Sequence, residues 1–441
     1  VIEEPKSERF EHVGRLQSFL DRDGFWHSFE LPDGTEIRGA NTLEGQRLRL
    51  EMLGVPADLS GKRALDIGTW DGWFAFELER RGADVTAIDV IDNPRFRDLH
   101  KRFNSRIDYR QMDVYDINPQ ALGQFDVVLF MGVLYHLKHP LLGLERVCAV
   151  TRGMAGIDSF VLQRQFADGV VMDRPMMEFF ERDEFGGQTD NWCAPNLPCL
   201  LAFCRTAGFA RVKSQGASEY GAAVTCYREW EPVSKDAQPG PELVFAIHHE
   251  DFGINFNGAK DDSITCMIRS NEPGLTVADL QPAVDRFGGI PLQLKHKQDE
   301  GLYEFGFRLP PGLSPGWHDV RVRVRGSQPS NAKPIAIDIP LTNFDVRFEG
   351  IQDGATWRPN ELDLSRGRVV SMWLSGLPSN VDKNNLHVFT NDKRANVLFI
   401  EDKTGKQQVN LQLTDRVPVG VIKLRLELGD ARLDCGELRV F

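Results

Sequence analysis

Three acids and two glycines stand at the spacing that an adenosine-containing ligand needs. Arg63-Ala-Leu-Asp-Ile-Gly-Thr-Trp-Asp-Gly-Trp73 reads as a buried strand, a tight turn and the start of a helix. Val85-Thr-Ala-Ile-Asp-Val90 reads as a second strand ending in an acid. Gly68 and Gly72 let the backbone turn sharply and approach a ligand with no Cβ in the way. Asp89, at the end of the second strand, can accept hydrogen bonds from ribose hydroxyls. The turn reads D-x-G-x-x-x-G, so the G-x-G-x-x-G fingerprint for a pyrophosphate is absent. A carboxylate at Asp66 repels a pyrophosphate but can hold an ammonium group. The pattern favours a cofactor with an amino-acid tail, S-adenosylmethionine (SAM), over a plain βαβ unit with a tight turn.

Two later segments extend this constellation. Asp113 follows a third strand, Ile107–Met112, where a carboxylate can accept the adenine amine. Gln124-Phe-Asp-Val-Val-Leu-Phe-Met-Gly-Val-Leu-Tyr-His136 holds a fourth strand, and its exit, Met131 to His136, would lie beside the reacting sulfonium. The candidate cofactor residues are Asp66, Gly68, Thr69, Trp70, Gly72, Asp89, Val90, Asp113, Val114 and Met131. Tyr135 and His136 are the candidate catalytic residues, with Tyr135 for positioning. His136 and His139 could act as a base if the acceptor must lose a proton. An orienting role for His136 and a turn role for His139, beside Pro140, compete with that reading.

The elements that must position these residues follow from the periodicity. Residues 1–60 read as a cap, with a helix at Ser7–Leu20, a strand closed by Pro32-Asp-Gly34, and a helix at Thr42–Leu53. Over 61–235 strands and helices alternate, which predicts a Rossmann-like α/β unit with a parallel sheet. Further strands are expected at Phe125–Met131 and Gly156–Gln163, and a helix at Leu197–Ala207 ended by Gly208. Ser234-Lys-Asp-Ala-Gln-Pro-Gly-Pro241 reads as a linker. Beyond it short alternating runs predict two tandem all-β sandwich domains, 236–340 and 341–441. An internal repeat of roughly 100 residues supports the pair, about one immunoglobulin-sized domain. Ser263–Arg269 matches Val369–Ser375, Ala278–Pro282 matches Asn384–Val388, and Pro315–Val324 matches Pro418–Leu426.

Size and composition exclude some classes. The chain has 441 residues, a formal net charge of −12 and ordinary apolar content. The acidic balance disfavours nucleic acid as a partner without excluding a local basic patch. No apolar run approaches the ~20 residues that span a bilayer. Seven cysteines fit no common zinc spacing, and no metal site is evident, so reduced thiols in a cytoplasmic protein are expected. No secretory signal opens the sequence, and Val1 suggests a trimmed start.

Residues 60–230 resemble a class I SAM-dependent methyltransferase, and within that class the tRNA wobble-uridine carboxymethyltransferase and its relatives. Phe125–His136, Asn191-Trp-Cys-Ala-Pro-Asn196 and Ala207-Gly-Phe209 carry the likeness. The resemblance implies that Asp66 and Gly68 border the methionine tail, Asp89 the ribose and Asp113 the adenine. It implies that Tyr135 stands where the tRNA enzyme's tyrosine helps hold the extra carboxylate of carboxy-SAM. Trp70 departs from the pattern, standing where many relatives have a second glycine, and its indole could shield the cofactor. Arg228 is a candidate reader of that carboxylate, and the β-domains are foreign to the tRNA enzyme. These departures favour plain SAM and a small polar or glycan acceptor. Wobble-uridine (carboxy)methylation is the alternative, as is a glycan- or protein-binding protein with a scaffold methyltransferase fold. Asn191 and Trp192 are expected on a substrate-facing loop, and Gly186-Gly-Gln-Thr-Asp-Asn191 as a mobile lid. Trp317, Trp357 and Trp373 could stack on sugars, although strand alternation favours core packing for each. The β-domains also offer a route to homo-oligomers.

Overall fold

A computed structural model describes residues 24–162, 173–185, 187–218, 221–250, 252–258, 262–297, 301–338 and 346–377. It further describes 381, 383, 386–391, 393–403, 406–414, 416–428 and 431–441. The helix expected at Ser7–Leu20, Gly186 of the expected lid, and Asn384 of the repeat lie outside the described residues. Two compact units organise the chain. One comprises residues up to 231 with 286–290 and 310–312, and the other 232–285, 291–309 and 313–441.

The first unit is built on a seven-stranded sheet. Its spatial order is Arg211–Ala217, Gly221–Tyr227, Thr151–Phe160, Phe125–Met131, Arg63–Ile67, Asp84–Asp89, Asp108–Gln111. The five strands from Thr151–Phe160 to Asp108–Gln111 run parallel, and Gly221–Tyr227 runs against its neighbours. Strands buried on both faces need near-continuous apolar runs, and Phe125–Met131 supplies one. Leu65, Val128 and Phe130 feed one core, and Ala64, Val127 and Leu129 feed the core on the opposite face. The chain order steps outward from Arg63–Ile67 to one side and then returns to Phe125–Met131 on the other. That reversal is a switch point, where open α/β sheets bind ligands outside the carboxyl ends of their strands.

The expected elements fall close to the observed ones. Phe125–Met131 is a strand with those bounds, and the fifth strand starts earlier than expected, at Thr151. The late helix is Leu197–Thr206, with the Asn196 side chain accepting from Cys199 N at 3.0 Å to cap it. The N-terminal region is integral to this unit. Phe25–His27 pairs in parallel with Gly39–Asn41, and Phe29–Glu30 returns on Glu36–Ile37 around the Pro-Asp-Gly turn. Helix Leu43–Met52 is capped by Thr42, and Leu50 and Leu53 are buried in the sheet core. Thr225 Oγ1, on the sheet, donates to Leu53 O at 2.9 Å.

The second unit is all β among its longer elements, and its topology is duplicated. In the first copy Glu242–His248, Ser263–Arg269, Leu302–Arg308 and Pro291–Lys297 form one sheet. Asn255–Phe256, Lys333–Ile337, Gly316–Val324 and Leu280–Val284 are consecutive in another. The second copy repeats both orders. Arg347–Asp353, Val369–Ser375, Lys406–Gln412 and Lys393–Lys403 match the first sheet. Glu361–Leu362, Ala431–Val440, Gly420–Leu428 and His387–Thr390 match the second. Here the long Lys393–Lys403 strand pairs with both Lys406–Gln412 and His387–Thr390, joining the eight strands into one sheet. The sequence matches at Ser263/Val369 and Gly316/Gly420 fall on equivalent strands. Core packing fails as an expectation for Trp317, which is 39% exposed on its strand, and for Trp357. Trp357 is 62% exposed on a turn held by Asp353, with a positive φ. All seven cysteines are unbridged and buried.

Leu50→Ala tests whether the N-terminal helix is part of the α/β core. Full burial predicts a loss of about 2–5 kcal/mol, read from denaturant unfolding of that unit.

Candidate active site at the carboxyl edge of the sheet

The Gly68–Gly72 turn sits at the switch point and is held from two sides. From the neighbouring strand, Asp89 Oδ2 accepts from Trp70 N at 2.8 Å and Oδ1 from Ile91 N at 2.9 Å. From the N-terminal strand, Trp26 N and His27 N donate to Asp71 Oδ2 at 2.8 and 3.0 Å, and His27 Nδ1 bonds Asp71 Oδ1. Asp71 is fully buried. A buried carboxylate is tolerated when hydrogen bonds satisfy it, and here backbone donors do so.

The turn carries strain. Trp70 adopts φ +50°, a left-handed conformation that is costly for a bulky residue. A glycine would hold that φ without strain. Gly68 has φ +72°, and a Cβ there would fall 2.2 Å from Val133 Cγ2. The turn therefore lies directly against the exit of the Phe125–Met131 strand.

Asp66 is turned inward. Its Oδ2 accepts from Thr69 Oγ1 at 2.7 Å, and burial pushes its carboxyl up to about 6, with Thr69, His27 and Asp89 as smaller influences. Burial also raises Asp89, against the lowering by its backbone donors. Each Asp89 oxygen keeps a lone pair beyond its backbone bond, enough to receive ribose hydroxyls. Val90 and Ile91 beside it are exposed, offering an apolar edge. Asp113 is exposed, accepts from Tyr115 N at 2.9 Å and caps the short turn containing buried Val114. Met131 is buried at its strand's end. A hydroxyl acceptor, an apolar lip and a second acid along one edge fit an adenosine.

On the other side of the switch point, Tyr135 and His136 lie in the Leu134–His136 turn. The Tyr135 ring is 4.3 Å from the His136 ring, and its phenol is raised by burial first and by the charge of Asp158 next. His136 Nδ1 is 3.1 Å from Asp190 O, which ties it to the 173–196 segment. Trp192 N donates to Tyr135 O at 2.8 Å, and Lys138 sits 4.2 Å over the Trp192 ring. His139 opens helix Pro140–Val150, in keeping with a turn role.

Two expectations are corrected. Asn191 does not face outward. It is buried, and its Nδ2 bonds Phe185 O and Gln188 Oε1 within its own loop. Arg228 is not in the site. Its N donates to Gly153 O, near the start of the Thr151–Phe160 strand, and its guanidinium bonds Cys148 Sγ at 2.7 Å. That is the opposite edge of the sheet. The sequence pattern did not single out His27 or Asp71. The acid at Asp71 was visible inside the glycine turn, but its partners lie 44 and 45 residues away.

The sheet order, the acid–glycine turn at its switch point and the acid ending the adjacent strand make a Rossmann-like α/β fold with a candidate cofactor edge. Residues 65–153 match the family model described as a methyltransferase domain. A ubiquinone biosynthesis O-methyltransferase of Xanthomonas oryzae pv. oryzae (strain PXO99A) is 36% identical over 148 residues, covering 33% of this chain and 59% of that protein. A tRNA U34 carboxymethyltransferase of Pseudomonas fluorescens (strain SBW25) is 27% identical over 160 residues, covering 35% and 48%. The chain thus spans about half the length of the curated relatives it matches. Among solved structures, the N-terminal domain of EvdMO1 with SAH bound is similar at 18% identity and a TM-score of 0.35, covering 50% of this chain and 96% of that one.

Asp71→Ala removes an acceptor of three bonds and should weaken S-adenosylhomocysteine binding by roughly tenfold or more, at one to two kcal/mol of lost turn positioning. Gly68→Ala should weaken it further. Val133→Ala added to Gly68→Ala should recover the steric part and leave the positive-φ part, which calorimetric titration of the three variants would separate.

Proposed function

We propose that the chain transfers a methyl group from SAM to a small polar or glycan acceptor. The observation that carries this reading is Asp89. Its carboxylate closes the turn at the switch point and still has lone pairs to offer at the sheet's edge. In this reading Asp89 binds the ribose, Asp113 and Val114 the adenine side, and Val90 flanks the base. Gly68, Thr69, Trp70, Gly72 and Met131 border the remainder. Asp66 acts as a buried counter-charge to the ammonium of the methionine tail. SAM supplies a methyl already activated on a sulfonium. The protein's work is then to position the acceptor, exclude water and, for a hydroxyl, take a proton. Tyr135 and His136 are assigned to the acceptor side.

The domain roles follow as part of the same reading. Residues 1–60 cap a methyltransferase domain over 61–235. The two β regions, 236–340 and 341–441, are read as immunoglobulin-like sandwiches that recruit the acceptor or a second copy of the chain. Their duplicated sheet order supports a tandem pair. A cytoplasmic setting is proposed with reduced thiols in view. Among the described residues no helix is long and apolar enough to cross a membrane.

A second reading has one observation in its favour. The charge of Arg49 acts on Tyr135, and a cation beside that tyrosine would suit the carboxylate of carboxy-SAM. The charge of Asp158 acts on the same tyrosine and would oppose it. Plain SAM therefore leads. Calorimetric titration with SAM, carboxy-SAM and S-adenosylhomocysteine decides. SAM binding that Asp89→Ala abolishes supports the leading reading, whereas preference for carboxy-SAM moves wobble-uridine chemistry to the front.

Asp66 adds a pH test. With its carboxyl near 6 in the free protein, it is mostly protonated at pH 5 and mostly charged at pH 7. An ammonium favours the charged form, so SAM affinity should rise about tenfold between those pH values. Asp66→Asn should flatten the rise. The free protein's stability runs the other way. Its folded carboxyl holds a proton more tightly than the unfolded one, so stability falls as pH rises from about 4 to 6.

A further inference from the structure

We propose that Asp158, Tyr135 and Arg49 form an acceptor subsite for a neutral molecule bearing two neighbouring hydroxyls, and that Asp158 takes the proton of the hydroxyl that is methylated. The proposal rests on the methyl-transfer reading above and names its substrate class.

The geometry begins with the strands. Asp158 is paired with Met131 across the Thr151–Phe160 and Phe125–Met131 strands, and Gly132 N donates to Asp158 O at 2.8 Å. Asp158 therefore stands at the carboxyl edge beside the residue that borders the cofactor side. Gly156 and Asp158 share one face of their strand. Leu53 packs on Gly156, and Arg49 lies one helical turn before Leu53 on the same side of that helix. This sets Arg49 above the Asp158 end of the strand, and its charge acts on both Asp158 and Tyr135. The Tyr135 hydroxyl lies against Gly132, the residue that bonds Asp158.

The three groups converge without satisfying one another. Among the described residues, none of these side chains makes a hydrogen bond, to one another or to any other group. Their polar ends reach solvent, and three such groups gathered at one strand edge without pairing point to a ligand that pairs them. Burial raises the Asp158 carboxyl and keeps the Tyr135 phenol protonated.

Charge and hydrogen-bonding capacity select the ligand. Asp158 accepts and Tyr135 donates, which matches one hydroxyl that gives its proton and a second oxygen that receives one. Arg49 opposes an ammonium acceptor. Asp158, with Asp190 also acting on Tyr135, opposes an anion. A neutral vicinal diol remains, as in a sugar or a catechol. In the step, the acceptor oxygen forms a C–O bond to the methyl and its proton passes to the Asp158 carboxylate. The methyl–sulfur bond breaks and its electron pair stays on sulfur, leaving S-adenosylhomocysteine.

The test uses the full chain with catechol and methyl α-D-glucopyranoside as probes. Binding of each to protein loaded with S-adenosylhomocysteine is read by saturation-transfer NMR, and methyl transfer is read with labelled SAM. The expected result is binding and methylation of at least one diol by the wild type. Asp158→Asn should lower kcat by roughly 100-fold or more while S-adenosylhomocysteine still binds. Tyr135→Phe should weaken diol binding in the NMR readout. An Asp158→Asn protein with the wild-type rate overturns the assignment. So does a wild type that binds S-adenosylhomocysteine yet methylates neither diol, or that prefers benzylamine or tRNA. A wild type that does not bind S-adenosylhomocysteine overturns the methyl-transfer reading itself, and the proposal with it.

Discussion

Backbone N–H groups donating to buried carboxylates hold the working edge of the α/β unit together. Asp89 binds the Trp70 and Ile91 amides, and Asp71 binds those of Trp26 and His27. The first pair ties the glycine turn to the adjacent strand. The second ties the same turn to the N-terminal strand. Between them sits Trp70 in a left-handed conformation that only a well-determined surrounding sustains. If either carboxylate were lost, the turn would have one anchor and a strained residue. The N-terminal strands thus brace the candidate site as well as cover the core.

Much of this was legible in the sequence, for a physical reason. A strand buried on both faces must be apolar throughout, so Phe125–Met131 stands out with its bounds. A turn that needs positive φ advertises itself through Gly68 and Gly72. The acid at the end of Asp84–Asp89 follows from the same pattern. What stayed hidden depends on tertiary pairing. Asp71 read as one more residue of the turn, because its donors sit on a strand far earlier in the chain. Arg49 and Asp158 lie on elements whose local patterns say nothing of each other. Arg228 was misjudged because a lone arginine after a strand carries no sign of which edge it occupies. Its burial against Cys148 is a packing outcome.

The β unit teaches a related lesson. The sequence repeat was faint, yet the strand order of one copy recurs in the other, down to a short parallel pair in each: Asn255–Phe256 with Lys333–Ile337, and Glu361–Leu362 with Ala431–Val440. Topology is fixed by which faces are apolar and how long the connections are, so it outlasts residue identity. The copies differ where one strand, Lys393–Lys403, is long enough to pair on both sides. Trp357 shows the limit of alternation as a guide. Its turn is held by Asp353 through backbone donors, with Trp357 at a positive φ and its indole exposed.

Charge gives the site its energetic logic. Asp66, Asp89 and Asp158 all have carboxyls raised by burial, so the free protein holds each in its charged form at a cost. Asp89 further raises Asp66 through repulsion. A fold selected for stability alone would exchange such groups for neutral ones. A fold that must receive a cofactor carrying both an ammonium and a sulfonium gains from keeping them. The ligand's positive charges relieve the penalty, and relief on binding is affinity. At the proposed acceptor subsite the same burial raises the Asp158 carboxyl, which makes it a stronger base. The acids that weaken the free protein are, on this account, the ones that give it a purpose.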